Sequence, residues 1–292
     1  MKLIAITYHK KKYQPIINSQ IDEIAGNFDS KLVNKQGRYS LHTEYSFAGR
    51  KFQSILLNGL DEIKKAHIKN IPELWKNDKW AEEFAEFIFR IVVGSKAPEI
   101  IEIHPPFKHY CKDFSEFLSV YGIFENKIKQ VMPDTKIFIE NRSGTLAGKR
   151  FLLSNCRDVL ELFSLLNESK FELKMVIDYP QIFSGEKIPL DNLELDKIFE
   201  FNDNLKSYRH LVGGFHIWGK RKGARWVSHV GDLNSYFSND VDKKQLFLFS
   251  ILNTFDDGVA RYFIPEVNSS EKDLHSIVND MIAAGFIFIE TR

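Results

Sequence analysis

The feature that most constrains this chain is a rhythm in which short β-branched and aromatic runs alternate with longer stretches of helical periodicity. The runs occupy residues 2–8, 38–45, 99–104, 136–140, 174–178, 211–217, 260–267 and 285–290, and helical spacing fills 52–69, 79–93, 113–130, 157–168, 193–205, 243–255 and 271–284. Strands joined by crossover helices pair in parallel. Eight of them close most simply into a single (β/α)8 TIM barrel over residues 1–292, a length that accommodates the roughly 250 residues such a barrel takes. An open doubly wound sheet is the alternative, and it more often carries a glycine-rich turn after its first strand. Here that strand runs into Tyr8-His9-Lys10-Lys11-Lys12 instead. Only the first crossover, around residues 19–28, is short and irregular.

The ends of the runs carry the chemistry. Most are apolar until their last residue or two and then end on a metal-capable side chain: His42, His104, Glu140, Asp178, His216 and Glu266. In a barrel, alternate side chains of each strand point inward and all C-terminal ends open on one face, so six such residues from six strands are expected to converge. Each residue has a plainer reading alone. A strand-end histidine is commonly a hydrogen-bonded structural residue, and a strand-end acid commonly caps the next helix. The joint pattern favours a divalent-metal site, because burying several carboxylates together without a cation costs several kcal/mol per charge. Glu102 shares strand parity with His104 and is read either as a partner behind the ligands or as a salt-bridged structural residue. Glu290 is read as a cap or ion pair. A Cys-His nucleophile built from Cys111 and His109 lacks a supporting third residue.

Charge is informative only locally. The chain has 40 basic and 39 acidic side chains, a net charge of +1, so no chain-wide field draws it to nucleic acid or anionic lipid. Yet Lys10, Lys11, Lys12, Arg50, Lys51, Arg142, Lys149 and Arg150 follow strands, and Lys220, Arg221, Lys222 and Arg225 make a dense basic loop after the sixth. A solvated loop is the plain reading of any one of these; together they favour an anionic, phosphate-bearing substrate, possibly DNA. The cysteines, Cys111 and Cys156, form no Cys-x-x-Cys pair, which points to a reducing compartment. With no signal-like or membrane-spanning stretch, a soluble cytoplasmic location is expected.

At the strand ends the sequence resembles the xylose isomerase-like barrels, and among them the apurinic endonuclease IV family (AP endonuclease family 2). The motifs are His42-Thr43-Glu44-Tyr45, His104-Pro105 and Glu140-Asn141-Arg142-Ser143-Gly144, with Asp178, His216 and Glu266 in the fifth, sixth and seventh strands. The resemblance implies two or three divalent ions, zinc or manganese, that hydrolyse phosphodiesters. His42 and His104 would hold one metal, with Glu140 bridging it to a second held by Asp178, His216 and Glu266. Glu140, Glu266 and Asp178 would be catalytic, and Tyr45, Arg142, Gln181, Lys220, Arg221 and Arg225 would meet substrate. Two departures bear on a third metal. Gln181 stands where the family carries a histidine, and His229-Val230-Gly231-Asp232 replaces its Asp-x-His pair, so a third site would be rebuilt from His229 and Asp232. The family's His-Leu-Asn-Asp is replaced by His216-Ile217-Trp218-Gly219.

A metal-dependent phosphodiesterase or endonuclease-like hydrolase is therefore the first functional expectation. A sugar isomerase or epimerase of the same superfamily would use one metal and a carboxylate acid/base pair, but Leu146 stands where the family's epimerases place the base. A catalytically degenerate barrel that binds nucleic acid or a protein is the third.

Overall fold

Eight short strands make the sheet that positions the site: β1 Lys2–Thr7, β2 Ile21–Gly26, β3 Tyr39–Thr43, β4 Ile100–Ile103, β5 Lys136–Glu140, β6 Lys174–Asp178, β7 Val212–His216 and β8 Arg261–Ile264. Their order is β8-β7-β6-β5-β4-β3-β2-β1, and β8 pairs again with β1, which is the cyclic order of a (β/α)8 barrel. The computed structural model describes residues 1–26, 32–43, 54–69, 71–146, 148–188, 194–222, 226–238 and 240–290. Its helices are α1 Asp61–Ile68, α2 Asp78–Ile91, α3 Phe114–Val131, α4 Cys156–Glu168, α5 Tyr179–Gly185, α6 Asp196–Leu205, α7 Asn234–Phe237, α8 Val241–Phe255 and α9 Glu271–Ala283. Among the described residues none of these is long and apolar enough to cross a membrane.

The fold class matches the sequence reading, but one strand changes place. The stretch expected to be an irregular crossover is β2, whose Ile21 and Asp22 pair with Ile6 and Thr7 of β1. Its sequence, Ile-Asp-Glu-Ile-Ala-Gly, carries two acids and a glycine in six residues and so lacks the apolar run that marks a buried parallel strand. The expected eighth strand, 285–290, shrinks to Ile287–Phe288, a stub beside the start of β1. Asp178, His216 and Glu266 consequently belong to the sixth, seventh and eighth barrel strands rather than the fifth, sixth and seventh. The basic loop after β7 also gains structure, as Lys220–Lys222 pairs antiparallel with Trp226–Ser228.

The chain divides into two compact units. The first comprises Met1–Asp22, Asn155–Leu160 and Met175–Arg292. Its aromatic core interleaves Tyr179 and Phe183 of α5 with Phe247 of α8, the rings meeting edge to face at 5.3 and 5.5 Å. The second comprises Glu23–Ser154 and Glu161–Lys174. At its centre Trp75 is fully buried against Trp80 and Phe84 of α2 and Phe117 and Phe124 of α3. Helices start where side chains accept the orphan amides of their first turn: Asn77 from Trp80 for α2, Asp113 from Glu116 for α3 and Asp240 from Lys243 for α8.

Register places the strand ends. In the first unit a register shift between Met175 and Val176 sets Asp178 opposite His216, and His216 lies opposite Ile264. The close approach of β7 to β8 requires Gly214, since a Cβ there would lie 2.7 Å from the Tyr262 carbonyl oxygen. In the second unit His42 pairs with Glu102, and Ile103 with Ile139, so the next rung faces His104 toward Glu140.

β8 begins at a buried cation. Arg261, 1% exposed, donates to both oxygens of Asp257 at 2.9 Å and to the carbonyls of Val212, Phe255 and Arg209. Those hydrogen bonds hold the Asp257 carboxyl down at about 2. A depressed carboxylate stabilises the fold above its ordinary pKa, near 3.8, and loses that contribution as pH falls toward 2. Asp257→Ala is expected to cost about 3 kcal/mol at pH 7, read from urea midpoints, and the difference from wild type should vanish near pH 2.

Candidate metal centre

The second unit presents one group at the ends of β3, β4 and β5. His42, in β3, His104, just past β4, and Glu140, the last residue of β5, each offer a ligand atom within 4.8 Å of the others. Nε2 of His42 lies 3.3 Å from Nε2 of His104 and 3.7 Å from Oε2 of Glu140, and His104 Nε2 lies 3.2 Å from the same oxygen. Two imidazole nitrogens facing each other across this distance, with a carboxylate between them, are disposed as ligands. Burial holds the His104 pKa below its ordinary value although Glu140 pulls it upward, so the ring is kept in the neutral form that can ligate.

Neighbours pin these side chains. Trp75 Nε1 donates to the His104 carbonyl at 2.7 Å, fixing the backbone just where it leaves β4. Thr43 Oγ1 donates to the Glu102 carbonyl at 2.7 Å, and Glu102 Oε1 stands 3.7 Å from His42 Nε2. Glu102 is thus a buried acid on the Nε2 side of His42, a placement compatible with both sequence readings. Arg142 lies 3.6 Å from Oε1 of Glu140. On the far side of His42, Glu23 of β2 reaches Nδ1 at 3.1 Å. Sequence reasoning missed Glu23 because it missed β2. The signal available was an acid two residues into an Ile-x-x-Ile segment, too weak to mark a strand.

The first unit presents a second group. Asp178, the last residue of β6, His216, the last of β7, and Glu266, two residues beyond β8, also offer ligand atoms within 4.8 Å of one another. His216 Nδ1 is 3.2 Å from Glu266 Oε2 and 4.0 Å from Asp178 Oδ2. Asp178 is held at both oxygens: Oδ1 caps α5 by accepting the Gln181 amide at 2.8 Å, and Oδ2 accepts Trp218 Nε1 at 3.0 Å. Glu266 follows Pro265 and sits at φ 31°, in the left-handed region that disfavours a residue with a Cβ. Such a conformation costs on the order of 1–3 kcal/mol and persists where the surroundings impose it. Here the Asn268 amide donates to the His229 carbonyl at 2.7 Å, and His229 Nδ1 lies 3.2 Å from the Glu266 carbonyl and 3.4 Å from its Oε2. His229 in turn stacks on Trp218, ring centroids 4.1 Å apart. Beside Trp218, Gly219 allows the Gly231 backbone to pack closely, since a Cβ there would fall 2.4 Å from it.

The other expected residues divide. Asp232 belongs to a different network: Asn234 and Ser276 donate to its Oδ2 at 2.9 and 2.6 Å, and its Oδ1 accepts the Asn234 amide. Gln181 lies buried in the first turn of α5. Lys220 is half-buried with Nζ donating to Ser184 at 2.8 Å; burial lowers its pKa and Asp178 opposes that. Arg221 lies in the hairpin arm Lys220–Lys222. Tyr45 and Arg225 lie outside the described residues. Cys111 is buried with its thiol pushed up to about 12, no setting for a nucleophile.

Both groups combine imidazole with carboxylate, a nitrogen–oxygen donor set suited to zinc or manganese. Glu140 and Asp178 are 0% exposed, and a cation held there would offset the cost of burying their charge. The residues fit the metal that the strand ends imply.

No family model matches the sequence, and no curated protein matches it. Solved structures do. A D-tagatose 3-epimerase-like protein aligns over 97% of both chains at 11% identity, with a TM-score of 0.49. A structure described as AsfvAP:AG covers 84% of this chain and 83% of its own at 13% identity and TM-score 0.48. A xylose isomerase domain protein from Planctomyces limnophilus covers 90% and 95% at 10% identity and TM-score 0.42. The fold and its strand ends define a (β/α)8 barrel carrying two histidine–carboxylate groups, each able to hold a divalent cation.

Trp218→Phe removes the donor to Asp178 Oδ2 while keeping an aromatic surface for His229. It is expected to weaken zinc binding at one site by about 10-fold, measured by chelator competition, with little change in unfolding midpoint.

Proposed function

We propose that the protein is a divalent-metal-dependent hydrolase that cleaves phosphodiester bonds in an anionic substrate, with nucleic acid the favoured class. One observation carries this reading: there are two imidazole–carboxylate groups, one on each unit, and each is complete enough to hold a cation. Moving a proton beside a carbonyl, as an isomerase does, needs one cation and leaves His42 and His104 without a use, whereas phosphoryl transfer commonly uses two. The motif resemblance at His42, His104 and Glu140 supports the same choice.

In this reading His42, His104 and Glu140 hold one cation and Asp178, His216 and Glu266 another, zinc or manganese in each case. Bound there, the cations supply charge stabilisation to a phosphoryl group and a nucleophile at neutral pH. The protein's own contribution is orientation. Trp75 fixes His104, Trp218 and the Gln181 amide fix Asp178, and the strained turn at Glu266 presents its carboxylate to His216. Positive side chains for the anionic substrate come from Arg142 and Lys220, joined by Arg221 and Arg225, with Gln181 and Tyr45 as polar and stacking contacts. A third cation held by His229 and Asp232 is less favoured, because the Asp232 oxygens are engaged by Asn234 and Ser276. Free thiols at Cys111 and Cys156 fit a reducing, cytoplasmic location.

The test is metal analysis of the purified chain followed by cleavage assays on bis(p-nitrophenyl) phosphate and on intact and abasic DNA. At least two equivalents of metal are expected, with Glu140→Gln reducing cleavage about 100-fold or more in a protein that still folds. One equivalent of metal, no phosphodiester cleavage, and solvent deuterium entering a ketose would instead establish an isomerase.

A further inference from the structure

We propose that Glu23 is a positioning residue for the His42 site, holding the imidazole in the tautomer that leaves Nε2 available to a cation. The inference rests on the reading of His42 as a ligand and extends it to a residue outside the ligand set. His42 uses its two ring nitrogens in opposite directions. Nε2 faces His104 Nε2 at 3.3 Å and Glu140 Oε2 at 3.7 Å, the ligand side. Nδ1 faces Glu23 Oε1 at 3.1 Å.

A carboxylate accepts and does not donate, so the proton of a neutral imidazole is drawn to the nitrogen that faces Glu23. That leaves the lone pair of Nε2 directed at the ligand side. An imidazole whose outer N–H is bound by a carboxylate is oriented and made a stronger base, which is how outer partners raise metal affinity. Burial strengthens the effect. The side chains of Glu23 and His42 are 5% and 15% exposed, so water competes little for either atom.

The placement of Glu23 follows from β2. Ile21 and Asp22 pair with β1, and the next residue turns its carboxylate toward His42. Glu23 is therefore assigned a role beyond sheet structure, although it sits on a strand whose sequence hardly announces itself. Glu102 and Glu140 face Nε2 and would favour the opposite tautomer, but both stand at 3.7 Å, beyond hydrogen-bond distance, whereas Glu23 reaches Nδ1 at 3.1 Å.

The experiment compares wild type, Glu23→Ala, Glu23→Gln and His42→Ala as full-length, metal-free protein. Long-range ¹H–¹⁵N correlation reports which His42 nitrogen carries the proton, and zinc titration against a chelator reports affinity at each site. Wild type should show His42 protonated at Nδ1. Glu23→Ala should mix the tautomers and weaken one zinc site by about 10- to 100-fold, leaving the other unchanged. Glu23→Gln, whose amide oxygen still accepts the Nδ1 proton, should keep the tautomer and lose less affinity, and it serves if the alanine variant does not fold. If His42→Ala leaves zinc stoichiometry unchanged, the ligand reading of His42 itself fails. If His42→Ala removes one equivalent while Glu23→Ala and Glu23→Gln bind zinc as wild type does, the ligand reading stands and the role given to Glu23 is wrong.

Discussion

Carboxylates taken out of water at the ends of β-strands are the constraint around which this protein is organised. Glu140 and Asp178 are fully buried and Glu266 nearly so, and each lies within a few ångströms of an imidazole. A bare carboxylate in such a place would be protonated or expelled. What makes the arrangement tenable is a set of directed partners: indole and amide donors on Asp178, a guanidinium near Glu140, and the His104 imidazole, whose pKa burial lowers so that it can share a cation with the acids.

The fold serves that constraint through register rather than through loops. Asp178 meets His216 because a register shift between Met175 and Val176 realigns the last three residues of β6 with β7. His104 meets Glu140 because Ile103 is already paired with Ile139. Side chains carried on strand ends inherit the rigidity of the sheet beneath them, and the residues beneath are apolar and close-packed. Where the strand alone does not deliver the ligand, the chain accepts strain. Glu266 lies beyond β8 in a left-handed turn, tied down through His229, which is itself clamped against Trp218.

The tryptophans show how structural and functional roles merge. Trp75 fills the centre of one aromatic core and spends its single donor on the His104 carbonyl. Trp218 spends its donor on Asp178 and its face on His229. Each couples core packing to ligand position.

What the sequence determined by itself was the kind of architecture and most of the candidate ligands. Apolar periodicity is a local property, and it marked seven of the eight barrel strands, the long helices, and His42, His104, Glu140, Asp178, His216 and Glu266 at the ends of apolar runs. Gln181 and His229 were found but not their partners, since an amide capped on Asp178 and a ring stacked on Trp218 are contacts made across the fold. Tertiary structure alone decided the rest. β2 owes its strand to pairing with β1 rather than to its own residues, Glu23 becomes meaningful only when β2 lies beside His42, and Asp232 accepts hydrogen bonds from Asn234 and Ser276. Propensity and pattern act over a few residues, whereas pairing, capping and stacking are settled by neighbours that the order of the chain does not bring together.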